Sequence, residues 1–177
     1  AYARAYYETY KLPTIIVRPF NTYGPRSHFE GDAGEIIPKS IIRAISGKPI
    51  LVFGDGSQTR DFTYVTDTAK ALFAASQYEA LIGGTFNIGS SFEISIKKVA
   101  EMIKDAISND SVEIKYEKNR PGDVLRLFAD SKTFNNLTNW EADYSFDNGL
   151  HKTIDWFNMF YKNSINYIDE ETGLNWQ

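Results

Sequence analysis

Two arginines sit in rigid turns. Arg60 lies near the end of Gly54-Asp55-Gly56-Ser57-Gln58-Thr59-Arg60-Asp61-Phe62, and Arg120 opens Arg120-Pro121-Gly122-Asp123. A guanidinium presents a planar fork of N–H donors that matches a diphosphate, and a tight turn would present Arg60 outward. Arg120 and Asp123 on one rigid loop could bridge a phosphate and a ribose hydroxyl. Two asparagines follow apolar runs. Asn21 stands in Arg18-Pro19-Phe20-Asn21-Thr22-Tyr23-Gly24-Pro25-Arg26, and Asn87 in Thr85-Phe86-Asn87-Ile88-Gly89-Ser90. An amide there can donate to a phosphate and accept from a sugar hydroxyl. Taken singly, each segment is also ordinary turn chemistry, because Asn, Gly and Pro punctuate chains everywhere.

Composition narrows the chemistry. The 177 residues are 42% hydrophobic and 24% charged, the balance of a soluble globular protein with one ordinary core. There is no cysteine, so disulfides and thiolate zinc sites are excluded. The two histidines, His28 and His151, are far apart in sequence and argue against a histidine metal site or a Ser-His-Asp triad. No run is long enough to span a membrane and no signal peptide is visible. The net charge of −4 argues against nucleic acid as a partner. Residues 1–60 nevertheless carry 8 Lys+Arg against 5 Asp+Glu, while the remainder carries 11 against 18, which fits a local site for a small anion.

The elements that would position these residues alternate. Ala1–Tyr10 reads as helix with no preceding cap and no initiator Met, as the tail of a longer helix whose upstream sequence is missing. Pro13 ends it, and Thr14–Val17 reads as a strand buried on both faces, as in a parallel sheet. Arg18–Gly34 is loop. Helix follows over Pro38–Ile45, then a strand at Ile50–Phe53 and a returning strand at Phe62–Val65. Thr66 or Asp67 caps a helix to Gln77 with Ala69, Leu72, Phe73 and Ser76 inward. Thr85–Ile88 is a strand. Ser95 caps the amphipathic helix Ile96–Ile107, and Val112–Tyr116 is a strand followed by an extended stretch at Leu125–Ala129. Ser131 caps a short helix to Leu137, and Ser145 caps the last, Phe146–Tyr161. The tail 163–177 has no clear period, and no linker divides the chain.

In this order and these contexts the four segments resemble the C-terminal part of the extended short-chain dehydrogenase/reductase family. The likeness is to its NAD-dependent nucleotide-sugar epimerases, dehydratases and decarboxylases. Arg-Pro-Phe-Asn-x-Tyr-Gly-Pro-Arg after a strand is the most specific piece, Gly-Asp-Gly-Ser-x-x-Arg-Asp is nearly so, and Tyr-Ser-Phe-Asp-x-Gly-Leu entering the final helix is typical. The likeness runs to about residue 161. It implies an α/β fold: late strands of a Rossmann-like parallel sheet plus a small mixed α/β substrate-binding lobe over 1–162. Residues 163–177 form a tail, and the N-terminal cofactor-binding part is missing.

The resemblance also implies roles. Pro19 and Phe20 would lie against the nicotinamide end of NAD, which is held mainly by the missing part, with NADP left open. Asn21 would contact the sugar diphosphate, with Asn87 in the same pocket. Glu35, Ile36 and Ile37 would flank the nucleotide, and Leu51 and Phe53 would pack on its base. Arg60 and Arg120 would clamp the diphosphate, converging with Asn21, and Asp123 would reach the ribose or base. The family's chemistry oxidises the sugar at C4: a tyrosinate takes the O4 proton and NAD accepts hydride, giving a transient 4-keto sugar.

Two family features have no counterpart. The glycine-rich fingerprint is absent, since Gly83-Gly84 follows a helix. Tyr7-x-x-x-Lys11 has the spacing of the catalytic pair, but Lys11 sits at the helix end, where a lysine suits the dipole. No catalytic residue and no metal ligand is therefore assigned. The reading is a nucleotide-sugar 4,6-dehydratase or 4-epimerase when full length, with decarboxylation open, cytoplasmic and homodimeric, the chain alone being inactive. The alternatives are an inactive module that binds nucleotide sugars or proteins, and a structural fragment whose arginines are merely solvated.

Overall fold

The computed structural model describes residues 1–30, 35–107 and 111–161. In chain order the elements are α1 (Tyr2–Tyr10), β1 (Ile16–Pro19), β2 (Thr22–Tyr23), α2 (Ile36–Ile45), β3 (Ile50–Phe53), β4 (Thr59–Asp61), β5 (Thr63–Tyr64), α3 (Val65–Ala75), a 3-10 turn (Glu79–Leu81), β6 (Thr85–Ile88), β7 (Glu93–Ser95), α4 (Ile96–Ile107), β8 (Ile114–Glu117), β9 (Arg126–Leu127), α5 (Lys132–Thr138) and α6 (Phe146–Tyr161). They form two compact units. The first comprises Ala1–Thr22, Asp61–Glu93 and Phe128–Phe146; the second comprises Tyr23–Arg60, Ile94–Leu127 and the stretch from Asp147. The chain passes between them five times, so no single linker could mark the division. The proposed tail at 163–177 lies outside the described residues.

The first unit is built on a parallel pair, β1 beside β6, in the register Val17↔Phe86 and Arg18↔Asn87. Parallel strands need a crossover, and here the chain between them includes α3. Ala71, Ala75, Leu81, Phe86, Ile88, Phe134 and Trp140 form the core, with Ile15 and Val17 packed against it. Two expectations change. Ile16 and Val17 are half-buried and Arg18 and Pro19 exposed, so β1 is not covered on both faces. On α3 the inward residues are Asp67, Thr68, Ala71 and Ala75, whereas Leu72 is 46% and Phe73 70% exposed. The small alanines Ala71 and Ala75 pack into the core there, and the helix starts at Val65 without a side-chain cap, so neither Thr66 nor Asp67 caps it. Asp67 goes inward instead, accepting the Tyr144 N–H at 3.0 Å.

The second unit pairs β3 with β8 in parallel, Val52 opposite Tyr116. The segment after the Gly54–Ser57 turn therefore does not return beside β3. It divides into β4 and β5, and β4 pairs with β9, Arg60 opposite Leu127. Helices α2 and α4 pack on each other and on β3. Ile37, Ile41 and Ile42 of α2 and Ile96, Val99, Ala100 and Ile103 of α4 are buried. Ser95 caps α4 as expected, accepting the Lys98 N–H at 3.2 Å. Ser131 occupies the N-cap position of α5 but makes no cap bond; its hydroxyl turns to the Gly89 carbonyl instead. Leu150, Ile154 and Phe157 bury one side of α6.

Candidate functional site

In the first unit, Pro19, Phe20, Asn21 and Asn87 gather at the carboxyl ends of β1 and β6. The ladder continues past β1, because the Phe20 N–H donates to the Ile88 carbonyl at 2.9 Å. This is the end of a parallel sheet where ligands collect. Asn21 adopts a φ of 23°, unusual for a residue with a side chain. Its amide Nδ2 donates to the Asp61 carbonyl at 2.9 Å, and its own carbonyl accepts the Thr63 N–H at 3.2 Å. That bond uses one of the amide's two N–H groups. Phe20, Asn21 and Asn87 are half-buried and Pro19 is exposed.

In the second unit, a concave cleft of about 350 Å³ opens beside the β3 turn. Phe53, Gln58, Asn119, Arg120, Asp123 and Leu125 are among its lining. The Arg120 guanidinium stacks over the Phe53 ring at 4.3 Å, a cation–π geometry. Although Arg120 as a whole is exposed, its charged end is partly desolvated, and this lowers its pKa. Asp123 opposes the lowering and the nearby Arg60 adds to it. Arg60 donates to Asp123 Oδ1 at 2.7 Å, with side chains 15% and 28% exposed. Arg60 also donates to the carbonyls of Thr59 at 2.8 Å and Val124 at 2.7 Å. Gln58 Nε2 donates to the Phe53 carbonyl at 2.9 Å and to Asp123 Oδ2 at 3.3 Å, tying the two loops together.

The turn that carries these residues is built for close approach. Gly56 has φ 73°, and a Cβ there would stand 2.8 Å from Val52 Cγ1 and 2.9 Å from Lys97 Cβ. Asp55 holds the bend by accepting from the Ser57 N–H and hydroxyl, which keeps its carboxyl below the usual range.

The remaining expected residues divide. Glu35 precedes α2, its carboxyl raised by partial desolvation and drawn back by His28, though much of it is open to solvent. Ile36 is half-buried, but Ile37 is 1% exposed and its side chain belongs to the core. Leu51 is half-buried on β3 and is not among the cleft-lining residues. Asn119 and Gln58 line the cleft without having been singled out. Asn119 precedes Arg120, and its side chain reaches so close to Gly54 that a Cβ there would lie 2.5 Å from Oδ1. A larger groove of about 780 Å³ in the first unit, lined by Pro13, Ile15, Val17, Leu72 and others, holds none of the expected residues. Among the described residues no group of His, Cys, Asp and Glu could hold a metal, and no helix is long and apolar enough to cross a membrane.

Comparison with known proteins gives these residues a context. Residues 1–153 match the family model described as GDP-mannose 4,6 dehydratase. A low-salt glycan biosynthesis protein, Agl12, of Haloferax volcanii is 38% identical over 154 residues, covering 87% of this chain and 48% of that protein. The solved dTDP-glucose 4,6-dehydratase of Bacillus anthracis in complex with NAD is 31% identical at a TM-score of 0.81, covering 91% of this chain and 50% of that one. The UDP-glucuronic acid 4-epimerase of Bacillus cereus, solved with UDP-glucuronic acid and NAD, is 28% identical at a TM-score of 0.81, covering 90% and 49%. The chain spans about half the length of the curated relatives it matches. The parallel strands and mixed α/β build correspond to the Rossmann-like fold of these structures. With a family model matched over residues 1–153, the chain belongs to the GDP-mannose 4,6 dehydratase family, among the NAD-using sugar dehydratases and epimerases of the extended short-chain dehydrogenase/reductases.

Proposed function

We propose that the full-length protein is an NAD-dependent nucleotide-sugar 4,6-dehydratase or 4-epimerase working through a transient 4-keto sugar, and that residues 1–162 supply its nucleotide-sugar contacts. The observation that carries this reading is the pair of guanidiniums beside one cleft, Arg60 bonded to Asp123 at 2.7 Å and Arg120 stacked on Phe53, near enough for the two charges to act on each other. Like charges held together cost free energy that a bound diphosphate offsets, and the fork of each arginine suits its oxygens. Phe53, already stacked with Arg120, offers an aromatic face for a base. Asn21 and Asn87 would serve the sugar and diphosphate, and Glu35, Ile36, Leu51 and Asp123 the nucleoside; Ile37 would act through its backbone.

The fit to NAD rests on Pro19 and Phe20, at the carboxyl end of a parallel pair and not sealed in the core. They would lie against the nicotinamide end. Bound NAD supplies reversible hydride transfer, and this chain's residues hold the substrate for it. The protein is expected to act as a homodimer in the cytoplasm.

The test is turnover. The full-length protein, given NAD and a panel of UDP-, dTDP- and GDP-sugars, should yield a 4-keto-6-deoxy product or a C4 epimer from one of them. Arg120→Ala should raise KM at least about tenfold, the loss of a charge-assisted contact. The 177 residues alone should show no turnover. Absence of any product from the full-length protein would favour the alternative, a module that binds nucleotide sugars or proteins without chemistry.

A further inference from the structure

Asp61 is fully buried, and no part of the proposed reaction uses it. Its carboxylate collects three donors from the loop after β6: Oδ1 takes the Ser90 N–H at 2.8 Å and the Ser90 hydroxyl at 2.7 Å, and Oδ2 takes the Ser91 N–H at 3.3 Å. The approach depends on Gly89, where a Cβ would stand 2.5 Å from Asp61 Oδ2 and 2.4 Å from Ala129 Cβ. The Asp61 backbone carbonyl accepts the Asn21 amide at 2.9 Å. Two residues on, the Thr63 N–H donates to the Asn21 carbonyl at 3.2 Å.

Asn21 is therefore gripped at side chain and main chain by residues 61 and 63, and it needs that grip. A φ of 23° is a conformation side-chain-bearing residues rarely adopt, and it persists only where the surroundings over-determine it. The anchor of the grip is the Asp61 carboxylate. Asn21 at the end of β1 bonds the Asp61 main chain, and the Gly89–Ser91 loop, which follows Asn87 on β6, bonds the carboxylate, so both are fixed to one buried residue. An unpaired buried carboxylate would be costly; its three donors satisfy it and hold its rotamer.

We propose that Asp61 is a positioning residue of the nucleotide-sugar site, which sets the orientation of the Asn21 amide without touching the ligand. The proposal rests on the function proposed above, and a double-mutant cycle in the full-length protein separates the two. Asn21→Ala should lower kcat/KM for the nucleotide sugar; if it does not, the role given to Asn21 fails and this proposal with it. Asp61→Asn keeps the shape but sets an NH2 group against the donors at one of the two oxygen positions, Ser90 or Ser91. It should lower kcat/KM on the order of 10–100-fold, the scale of a misplaced contact. In the Asn21→Ala background the same change should cost less than about twofold. Equal losses in both backgrounds would overturn the proposal and leave Asp61 as a fold lock alone. Should Asp61→Asn not fold, Ser90→Ala removes one hydroxyl donor and leaves both backbone donors. It is expected to lower kcat/KM about 2–5-fold in the parent and not in Asn21→Ala. A Ser90→Ala loss equal in both backgrounds, or none in either, would equally overturn it.

Discussion

Arg60 donates to the Asp123 carboxylate and to two backbone carbonyls, while Arg120 rests its charge on Phe53. Hydrogen bonds hold the first guanidinium, and the second stacks on a ring. Phe53→Ala removes a contact worth about 0.5–1 kcal/mol at an exposed site, together with the apolar face offered to a base. The expected outcome is a several-fold rise in KM for the nucleotide sugar with kcat little changed, the mark of lost uniform binding. Gly89→Ala should be harsher, because the new methyl meets Asp61 and Ala129 inside 2.6 Å. A loss of about 1–3 kcal/mol in chemical denaturation is expected, the scale of overpacking. At this scale residue identities were legible before the fold: a guanidinium, a ring and an amide announce what they can bind. Their partners were not. Asp123 lies 63 positions from Arg60, and Asp61 contacts Ser90 29 positions away. Nothing local in the sequence tells that Asp61, next to an arginine expected to face outward, is buried.

Elements with strong period or punctuation were legible almost to the residue. Strands β3 and β6 and helices α4 and α6 appear where β-branched runs, the Ser95 cap and the apolar stripe place them. Pairing was not legible, because a short strand carries no record of its partner: β3 takes β8 across α4, and β4 takes β9. The face of α3 was misread because Leu72 and Phe73 are the large apolar residues there, yet the alanines pack inward. Small residues let α3 approach the β1–β6 pair closely, and this follows from packing, not hydrophobicity. Two substitutions test the element scale. Ser95→Ala should cost α4 about 1 kcal/mol by denaturation, as a cap does, whereas Ser131→Ala should cost less because no N–H of α5 donates to its hydroxyl. Gly56→Ala forces a Cβ against Val52 and Lys97 at φ 73°. It should destabilise the turn before Arg60 by about 1–3 kcal/mol.

Over the whole molecule, a chain with no visible linker forms two units whose segments interleave along the sequence. Composition could not separate them, because each unit draws on the beginning, middle and later parts of the sequence. The charge bias of residues 1–60 has its counterpart in Arg60, which the fold brings to Arg120 and Asp123 in the second unit. The central claim is that this pair of arginines binds a diphosphate. Titration calorimetry of the full-length protein with UDP, dTDP and GDP tests it directly. At least one nucleotide should bind, and Arg60→Ala and Arg120→Ala should each weaken it by at least about tenfold, with the loss shrinking as salt rises. Binding undiminished in both variants, or no binding of any nucleotide diphosphate, would contradict the account.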